Sequence, residues 1–236
     1  MLAGGRSARM GDSKASLDWH GESLVARIAR VLVRAVGEPV VVVRAPGQEP
    51  PAVHAGIEIV EDPVEGDGPL RGLATGLAAL EGRVEIVFAS SVDLPFLTAP
   101  FVTAVLAAVG DQDDAAVPVL DGHRYPLPAA YRIGLRTLCD DLLADGERRL
   151  GAVLEHARSR FLSEVDAGSL RNLNTRADYE EACAVPPPLV SVAGVELRAW
   201  HLGEVLAGHS VAVVNGIQID SDPWYPLAPG DHISLS

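Results

Sequence analysis

Short runs of β-branched residues alternate with helical segments along the first half of this 236-residue chain. The runs at 39–44, 57–61 and 84–89 show no polar alternation, which is typical of strands buried on both faces of a parallel sheet. Residues 70–80 and 99–109 have helical periodicity instead. This order predicts right-handed βαβ units in an α/β fold, with a doubly wound, mostly parallel sheet and helices on both faces. Ligands of such sheets bind beyond the carboxyl ends of the strands.

Residues 22–36 have apolar side chains on one helical stripe and arginines on the other side. The stripe consists of Leu24, Ile28, Val31, Leu32 and Ala35. Arg27, Arg30 and Arg34 lie opposite the stripe, and Gly37 ends the segment. Because this pattern is typical of a helix with one face on the core and the other in solvent, it predicts an amphipathic surface helix.

The alternation continues to residue 184 and is followed by a proline tract. Further strands are predicted at 115–120, 125–132 and 160–165, and further helices at 135–143, 149–157 and 176–183. We therefore predict a first domain over 1–184, a proline-rich linker over 185–188 and a small second domain over 189–236. Short strands in the second domain are predicted at 189–193, 195–199, 211–215 and 232–235, around a helical patch at 202–206. A domain of this size is marginal alone, so we expect it to pack on its neighbour.

The composition excludes several functional classes. A formal net charge of −13 argues against nonspecific binding to nucleic acid or to anionic membranes, because both depend on a basic surface. The apolar stretches are too short for a membrane span, and the first residues lack the pattern of a signal peptide, so we expect a cytoplasmic location. Cys139 and Cys183 form no CxxC pair, and the histidines form no HxxxH pair, so no zinc site is predicted.

The basic residues are strongly biased, because the chain has 18 arginines and a single lysine, Lys14. Lys14 closes a glycine-rich segment at residues 2–14, LAGGRSARMGDSK, which also contains Arg9. Glycines allow a backbone to approach an anion, exposed amides bind phosphate oxygens, and cationic side chains neutralise the charge. The segment matches neither GxxxxGK[ST] nor GxGxxG. We interpret it as a phosphate-binding loop, with an ordinary flexible N-terminus as the alternative.

Two carboxylates come shortly after predicted strands. Asp93 follows the strand at 84–89, at the edge of the sheet where one carboxylate can hold Mg²⁺ between phosphates. The alternative is a cap for the helix that follows. Asp62 follows the strand at 57–61 and, on its position alone, could be a solvated acid in a loop.

Three further segments carry candidate binding residues. Gly68, Pro69 and Leu70 open a helix and would let a loop pass close to a flat base, or else form a plain turn. Asn172 and Asn174 lie on one side of an extended segment and could bind phosphate or pterin groups, or else form Asx turns before a helix capped by Thr175. Arg124, next to His123 at a predicted strand turn, could bind a second substrate or could belong to a solvated turn.

Five motifs in this order resemble the MobA-type molybdenum cofactor guanylyltransferases, which belong to the Rossmann-like nucleotidyltransferases. They are LAGGRSARMGDSK at 2–14, Asp62 with Gly68-Pro69-Leu70-Arg71-Gly72, Ser91-Val92-Asp93-Leu94-Pro95-Phe96, Gly146-Glu147-Arg148-Arg149 and Asn172-Leu173-Asn174-Thr175. The resemblance spans about residues 1–184. It departs from the family at Ser13 and Val92, where aspartate and cysteine are usual.

The resemblance implies transfer of GMP from GTP to the terminal phosphate of molybdenum-bound molybdopterin, with release of pyrophosphate. It implies that Arg9 and Lys14 act on the triphosphate and that Asp93 is both catalytic and the Mg²⁺ ligand. The implied nucleotide-binding residues are Leu2, Ala3, Gly4, Gly5, Lys14, Asp62, Gly68, Pro69, Leu70 and Asp93. The implied acceptor-binding residues are Asn172, Asn174 and Arg124. Contacts with other proteins of molybdenum cofactor biosynthesis are a further expectation.

Two alternatives stay open. The same fold transfers CMP to molybdopterin, or a nucleotide to sugar or lactate phosphates, although Gly4-Gly5 and the segment at 68–72 favour guanine. A non-catalytic subunit that binds a pterin is the second alternative, and the presence of both Lys14 and Asp93 argues against it.

Both ends of the chain depart from the families they resemble. Val213-Val214-Asn215-Gly216, Trp224 and Pro229-Gly230-Asp231-His232-Ile233 resemble the β-grasp sulfur carriers of the ThiS and MoaD type. Those carriers act through a terminal Gly-Gly, whereas this sequence ends in Leu235-Ser236, so we expect either a truncated sequence or a docking or substrate-presenting module. At the other end only Met1 precedes Leu2, so we expect most of a central strand to be missing, through a misassigned start or a truncation.

Overall fold

The computed structural model of the protein describes residues 1–4, 16–220 and 222–235. Among the described residues before 189, here called the N-terminal part, the strands are β1 (Asp18–Trp19), β2 (Glu22–Ser23), β3 (Val41–Arg44), β4 (Glu58–Glu61), β5 (Ile86–Ala89), β6 (Ala115–Leu120), β7 (His123–Arg124), β8 (Ala129–Arg132) and β9 (Ser159–Leu162). Its helices are α1 (Leu24–Val36), α2 (Gly68–Leu80), α3 (Ala99–Ala107), α4 (Leu135–Ala144), α5 (Leu150–His156) and α6 (Arg176–Cys183). Most predicted elements are present, with ends shifted by at most four residues.

One mixed sheet organises this part of the chain. Leu2 forms one parallel bridge to Val43, in β3, and another to Ser91, just after β5. Residues 1–3 therefore join the β3–β4 pair to the remaining strands. The resulting order is β4, β3, residues 1–3, β5, β8, β6 and β9. β8 runs antiparallel to both β5 and β6, so the sheet is mixed rather than purely parallel, while the other pairings in this order are parallel as predicted. The predicted strand at 125–132 is in fact a connecting segment followed by β8. This strand lies between β5 and β6, and its direction is opposite to that of both.

Helices cover both faces of the sheet, as the alternation predicted. One hydrophobic cluster contains buried residues of α1 and α3, among them Ile28 and Val102, and a second contains residues of α2, α4 and α5, among them Leu77 and Val153. In the described part of the chain, no helix has both the length and the apolar composition that a membrane crossing requires. Cys139 is buried and unpaired, and burial raises the pKa of its thiol to about 12.

The central position of the sheet contains only a short piece of chain, Met1 to Ala3. The amide nitrogen of Leu2 donates to the Ser90 carbonyl at 2.7 Å, and that of Ala3 donates to the Val43 carbonyl at 2.8 Å. The α-ammonium of Met1 is buried and donates to the Val41 carbonyl at 2.7 Å. Burial lowers the pKa of this amine to about 5. Next to Met1, an apolar cavity of about 270 Å³ separates the first residues of β3 from β5.

The C-terminal unit, residues 189–235, forms a separate five-stranded sheet. Its strands are β10 (Leu189–Val192), β11 (Val195–Arg198), β12 (Val211–Val214), β13 (Ile217–Asp220) and β14 (His232–Leu235), in the order β11, β10, β14, β12, β13. The predicted helical patch is a short 3₁₀ turn at Leu202–Glu204 that packs with buried residues of the sheet. β13 was not predicted, although Asn215 and Gly216 both have positive φ and form the two-residue hairpin turn that Asn-Gly favours. The division into two domains at 185–188 stays a prediction.

The arginine face of α1 binds the C-terminal unit, so the predicted surface helix was wrong in this respect. Arg27 is 2% exposed and donates to the Trp200 carbonyl at 3.2 Å. Arg30 pairs with Asp222 at 2.8 Å, and Arg34 makes a bidentate pair with Asp231, with both distances 2.7 Å. The apolar stripe of α1 is buried as predicted, so both faces of the helix are covered. The expected packing of the C-terminal unit on its neighbour therefore occurs in part through charged groups.

Burial of Glu22, which lies in β2 just before α1, makes the stability of the protein depend on pH. Its side chain is 9% exposed, and burial raises the pKa of the carboxyl group to about 7, against the lowering effect of Arg27 and Arg30. The folded state therefore holds the proton more tightly than the unfolded state, and stability is lost as the pH rises from about 4.5 to about 7.

We expect Glu22→Gln to stabilise the protein at pH 8 by roughly 1 to 2 kcal/mol and to have a much smaller effect at pH 5, because glutamine removes the buried negative charge. Thermal unfolding at the two pH values measures this difference. Glu196→Gln, on the exposed face of β11, is the control and should have little effect at either pH. Equal effects of Glu22→Gln at both pH values would contradict the assignment.

Candidate functional site

The candidate residues converge at the carboxyl end of the parallel strands. Residues 1–3, β3, β4 and β5 run in the same direction, so the segments that follow them meet at one edge of the sheet. Gly4, Asp62 and Asp93 lie just beyond three of these strand ends. The amide nitrogen of Asp62 donates to the Arg44 carbonyl at 2.9 Å, which fixes the position of this residue relative to β3. The structure thus brings together motifs that are up to 90 residues apart in sequence.

The first residues of the chain pack against α2. A Cβ atom at Gly72 would lie 3.1 Å from a methyl group of Leu2, so the glycine permits the close approach of this helix to residues 1–3. Ala3 is buried, and Gly4 lies against the backbone of Ala45. The predicted nucleotide segments at 2–4 and 68–72 are therefore neighbours in the fold.

The start of α2 is held by the Gly146-Glu147-Arg148-Arg149 turn. The Arg148 carbonyl accepts from the Leu70 amide at 3.3 Å, and the Arg148 guanidinium pairs with Asp67. Gly68 has a φ of +80°, and a Cβ atom there would lie 2.9 Å from the Arg148 carbonyl oxygen. Pro69 is exposed, while the side chain of Leu70 is fully buried in the core. A nucleotide contact at these three positions stays a prediction, and the structure gives Gly68 and Leu70 a packing role.

We expect Gly68→Ala to destabilise the protein by about 2 to 3 kcal/mol, because it adds both a left-handed backbone strain and a contact with the Arg148 carbonyl. Gly66→Ala is a matched control, since Gly66 has a φ of +75° with no atom within 4 Å of the added Cβ. The control should cost about 1 kcal/mol from strain alone. Urea unfolding of both variants gives the difference, and equal costs would show that the Arg148 contact contributes nothing.

Asp62 has a half-buried carboxyl group with an unsatisfied acceptor. Burial raises its pKa, while a hydrogen bond with Thr75 and the charge of Arg71 oppose the shift. The Oδ1 atom is buried and has no hydrogen-bond partner among the described residues. A buried carboxylate oxygen without a donor is costly, so the group is suited to a ligand that supplies N–H donors.

Asp93 is positioned by two neighbouring segments. Its carboxylate accepts a short hydrogen bond from the Ser91 hydroxyl, and its carbonyl accepts from the Leu173 amide at 2.9 Å. The second contact joins the Ser91–Phe96 loop to the segment that contains Asn172 and Asn174. These two predicted groups of residues are therefore adjacent in the structure.

Asn172 and Asn174 are exposed, and the side-chain Nδ2 atom of Asn174 donates to the Oδ1 atom of Asn172 at 3.2 Å. Thr175 caps α6, because its hydroxyl accepts from the Asp178 amide while the Asp178 carboxylate accepts from the Thr175 amide. The helix cap that was predicted as an alternative role for this segment is thus present. It leaves the two asparagine side chains facing away from the core, so the acceptor-binding role stays a prediction.

Arg124 lies on the short β6–β7 hairpin, and its guanidinium stacks over the Phe161 ring at 4.4 Å from the centroid. Arg124 and His123 are exposed, and β6 ends at the same edge of the sheet as β5. The contact with Phe161 orients the arginine without neutralising it. Its predicted role in acceptor binding stays untested.

Gly5, Arg9 and Lys14 lie outside the described residues, so the predicted phosphate-binding role of this segment rests on the sequence. The donor chemistry at Asp93 fits Mg²⁺, which is commonly held by one or two carboxylates together with substrate phosphates and water. In the described part of the chain, no cluster of three or more His, Cys, Asp or Glu side chains could hold a metal without such a substrate.

Sequence reasoning missed an aromatic cluster beside this edge. The Trp19 ring lies 5.4 Å from the rings of both Phe96 and Trp200, and His20 stacks on Trp200 at 4.9 Å. The available signal was the scarcity of tryptophan, since the chain contains only three. Nothing in the local pattern could place Trp200 against residues about 180 positions earlier.

Comparisons with known proteins agree with the fold of the first part of the chain. The family of MobA-like NTP transferase domains matches residues 1–161. A "Probable molybdenum cofactor guanylyltransferase" of Mycobacterium marinum is 34% identical over 181 residues, which covers 75% of this chain and 89% of the relative. Two solved structures are similar at lower identity, so they show the fold alone. The molybdopterin-guanine dinucleotide biosynthesis protein A of Archaeoglobus fulgidus has a TM-score of 0.58 at 21% identity, covering 77% of this chain and 94% of that protein. The 2-C-methyl-D-erythritol 4-phosphate cytidylyltransferase of Thermus thermophilus has a TM-score of 0.60 at 20% identity, covering 78% and 96%.

Proposed function

The chain belongs to the family of MobA-like NTP transferase domains, and from this premise we propose that it transfers GMP from GTP to molybdenum-bound molybdopterin. The reaction releases pyrophosphate and forms the guanine dinucleotide of the molybdenum cofactor. The observation that carries the proposal is the convergence of Gly4, Asp62 and Asp93 at one sheet edge, in a chain that is 34% identical to a relative named as a guanylyltransferase.

In the proposed reaction, an oxygen of the acceptor phosphate attacks the α-phosphorus of GTP. A new P–O bond forms as the bond from the α-phosphorus to the bridging oxygen breaks, and pyrophosphate leaves. No covalent intermediate with the protein is needed, so the residues act by positioning the two substrates and neutralising charge. Arg9 and Lys14 bind the triphosphate, and Asn172, Asn174 and Arg124 orient the acceptor.

We propose that Asp93 holds Mg²⁺, which would neutralise charge on the phosphates when bound. The hydroxyl of Ser91 fixes one carboxylate oxygen, and the Leu173 amide fixes the backbone of the same residue. Asp93 is therefore already restrained by the protein, so its side chain would lose little conformational entropy on binding a metal ion.

Asp62 supports guanine as the base. Guanine presents two neighbouring N–H donors on its edge, and the buried Oδ1 atom of Asp62 lacks a donor in the described part of the chain. Cytosine presents one amino group beside acceptor atoms, so it would leave the carboxylate less well satisfied. The cytidylyltransferase alternative is therefore not favoured.

We expect kcat/KM for GTP to exceed that for CTP by at least tenfold, or about 1.4 kcal/mol. Asp62→Asn should reduce this ratio to below about threefold, because its amide nitrogen would face the guanine donors. The control is Glu61→Gln, an exposed neighbour whose carboxylate pairs with Arg44. Acceptor-dependent pyrophosphate release, measured with each nucleotide, gives the ratios. A preference for CTP in the unaltered protein would contradict guanylyl transfer and would support cytidylyl transfer instead.

We also propose that the C-terminal unit is a reduced β-grasp module that docks a partner or presents a substrate. The parallel pair β10–β14 lies between the two antiparallel hairpins β10–β11 and β12–β13, which supports the proposal. Such a module would allow contacts with other proteins of molybdenum cofactor biosynthesis.

A further inference from the structure

One residue of the C-terminal unit enters the core of the N-terminal part. Trp200 is 7% exposed and is the one described residue beyond 188 in the hydrophobic cluster that contains α1 and α3. Its neighbours in sequence, Ala199 and Leu202, belong instead to the core of the C-terminal unit. Trp200 is therefore shared between the two cores.

Trp200 contacts two segments that lie near the proposed catalytic groups in sequence. Its ring lies 5.4 Å from the ring of Trp19, five residues after Lys14, and 6.2 Å from the ring of Phe96, three residues after Asp93. Trp19 and Phe96 also contact each other edge-to-face at 5.4 Å, so the three rings form a closed triangle. Edge-to-face contacts of this kind stabilise the arrangement beyond the apolar area that they bury.

The triangle extends to the segment that carries the asparagines. The Arg171 guanidinium lies 5.3 Å from the Phe96 ring centroid, directly before Asn172 in sequence. The Tyr179 hydroxyl, from α6, donates to the Asp18 carbonyl at 2.7 Å and so connects this segment to the strand of Trp19. Three separate parts of the proposed site thus meet around the same rings.

The backbone of Trp200 is held by hydrogen bonds from both the N-terminal part and the C-terminal unit. Its carbonyl accepts from both the Arg27 guanidinium and the Leu227 amide, and its own amide donates to the Glu204 carboxylate at 3.3 Å. A tryptophan anchored in this way can limit the relative motion of the segments that contain Trp19 and Phe96.

We propose that Trp200 is a positioning residue for catalysis, which holds the β1–β2 segment that contains Trp19 and the loop that follows Asp93 in their productive arrangement. The inference rests on the proposed nucleotidyl transfer at this edge of the sheet. It assigns the C-terminal unit an indirect part in the reaction, in which the ring of Trp200 acts through the segments of Trp19 and Phe96.

The test compares Trp200→Ala, Trp200→Phe and Ile233→Ala in the full-length chain. Ile233 is 3% exposed in the core of the C-terminal unit, so its truncation lowers stability without touching the ring triangle. We expect Trp200→Ala to lower kcat by about 10-fold to 100-fold with less than about a threefold change in KM for GTP, because a small displacement of reacting groups is costly. Trp200→Phe should recover most of kcat, and Ile233→Ala should leave it within about twofold.

Amide hydrogen exchange provides a readout that does not require activity. Trp200→Ala should accelerate exchange in residues 16–23 and 91–97, and Ile233→Ala should not. If Trp200→Ala does not fold, Trp200→Leu, which keeps most of the apolar volume, replaces it in both measurements. Equal loss of kcat in Trp200→Ala and Ile233→Ala, or unchanged exchange in both segments, would overturn the inference. Absence of guanylyl transfer in the unaltered protein would refute the proposed function, while the exchange result would still show whether Trp200 restrains the two segments.

Discussion

Asp93→Asn is expected to lower kcat/KM for guanylyl transfer by about 10³-fold or more, a loss of about 4 kcal/mol in transition-state stabilisation. The substitution keeps an oxygen that can accept from the Ser91 hydroxyl and leaves the backbone contact with Leu173 unchanged. It therefore removes the negative charge with little change in geometry. Without that charge, the proposed Mg²⁺ ligand is lost, and the phosphates of GTP are less well neutralised.

A steady-state assay of pyrophosphate release, over a range of Mg²⁺ concentrations, measures this effect. The loss of activity should be partly relieved at high Mg²⁺, because weaker metal binding is compensated by mass action. Asp111→Asn, in an exposed loop, is the control and should retain normal activity. Full activity of Asp93→Asn at low Mg²⁺ would remove Asp93 from the proposed mechanism.

Lys14→Arg and Lys14→Ala should each lower kcat by about 10²-fold, or about 2.7 kcal/mol, with a smaller effect on GTP binding. Lys14 is the single lysine in a chain with 18 arginines, which suggests that this position requires a compact ammonium group. An ammonium on a flexible stem can follow the α-phosphate as charge develops, whereas a planar guanidinium prefers a fixed bidentate geometry.

Pyrophosphate release gives kcat for these variants, and titration with GTP gives the affinity. Arg6→Lys, in the same segment, is a useful comparison because it makes the opposite exchange and should have a smaller effect. Normal kcat in Lys14→Arg would show that the bias towards arginine is a property of composition alone.

The α/β architecture could be predicted because its signal is local. A run such as Val41–Arg44 shows its burial on both faces in its own composition, and the cap residues of α6 lie next to the helix they start. The direction of β8 could not be predicted in this way. Whether a strand runs parallel or antiparallel depends on which neighbours it meets, and these are set by the connections rather than by the residues of the strand.

The arginine face of α1 shows a second limit. Arg27, Arg30 and Arg34 have the spacing of a solvated helix face, and the groups that cover them lie more than 170 residues later in the chain. A charged face looks the same in sequence whether water or carboxylates satisfy it. The same reason concealed Trp200, whose importance depends on contacts with Trp19 and Phe96.

The candidate site was predictable to the extent that its residues follow strands. Asp62 and Asp93 come shortly after β4 and β5, so their meeting at one edge follows from the topology. The turn at Gly146–Arg149 was recognisable as a motif, but its action on the start of α2 was not, because the carbonyl of Arg148 carries no sequence signal.

The fate of the individual phosphates of GTP tests the central claim most directly. The unaltered protein is incubated with molybdenum-bound molybdopterin and Mg²⁺, together with GTP labelled at either the α- or the γ-phosphate. The account predicts that the α-label enters the pterin product and that the γ-label appears in pyrophosphate, with both events requiring the acceptor. Release of the γ-label as inorganic phosphate, or pyrophosphate formation without transfer of the α-label to the acceptor, would contradict guanylyl transfer.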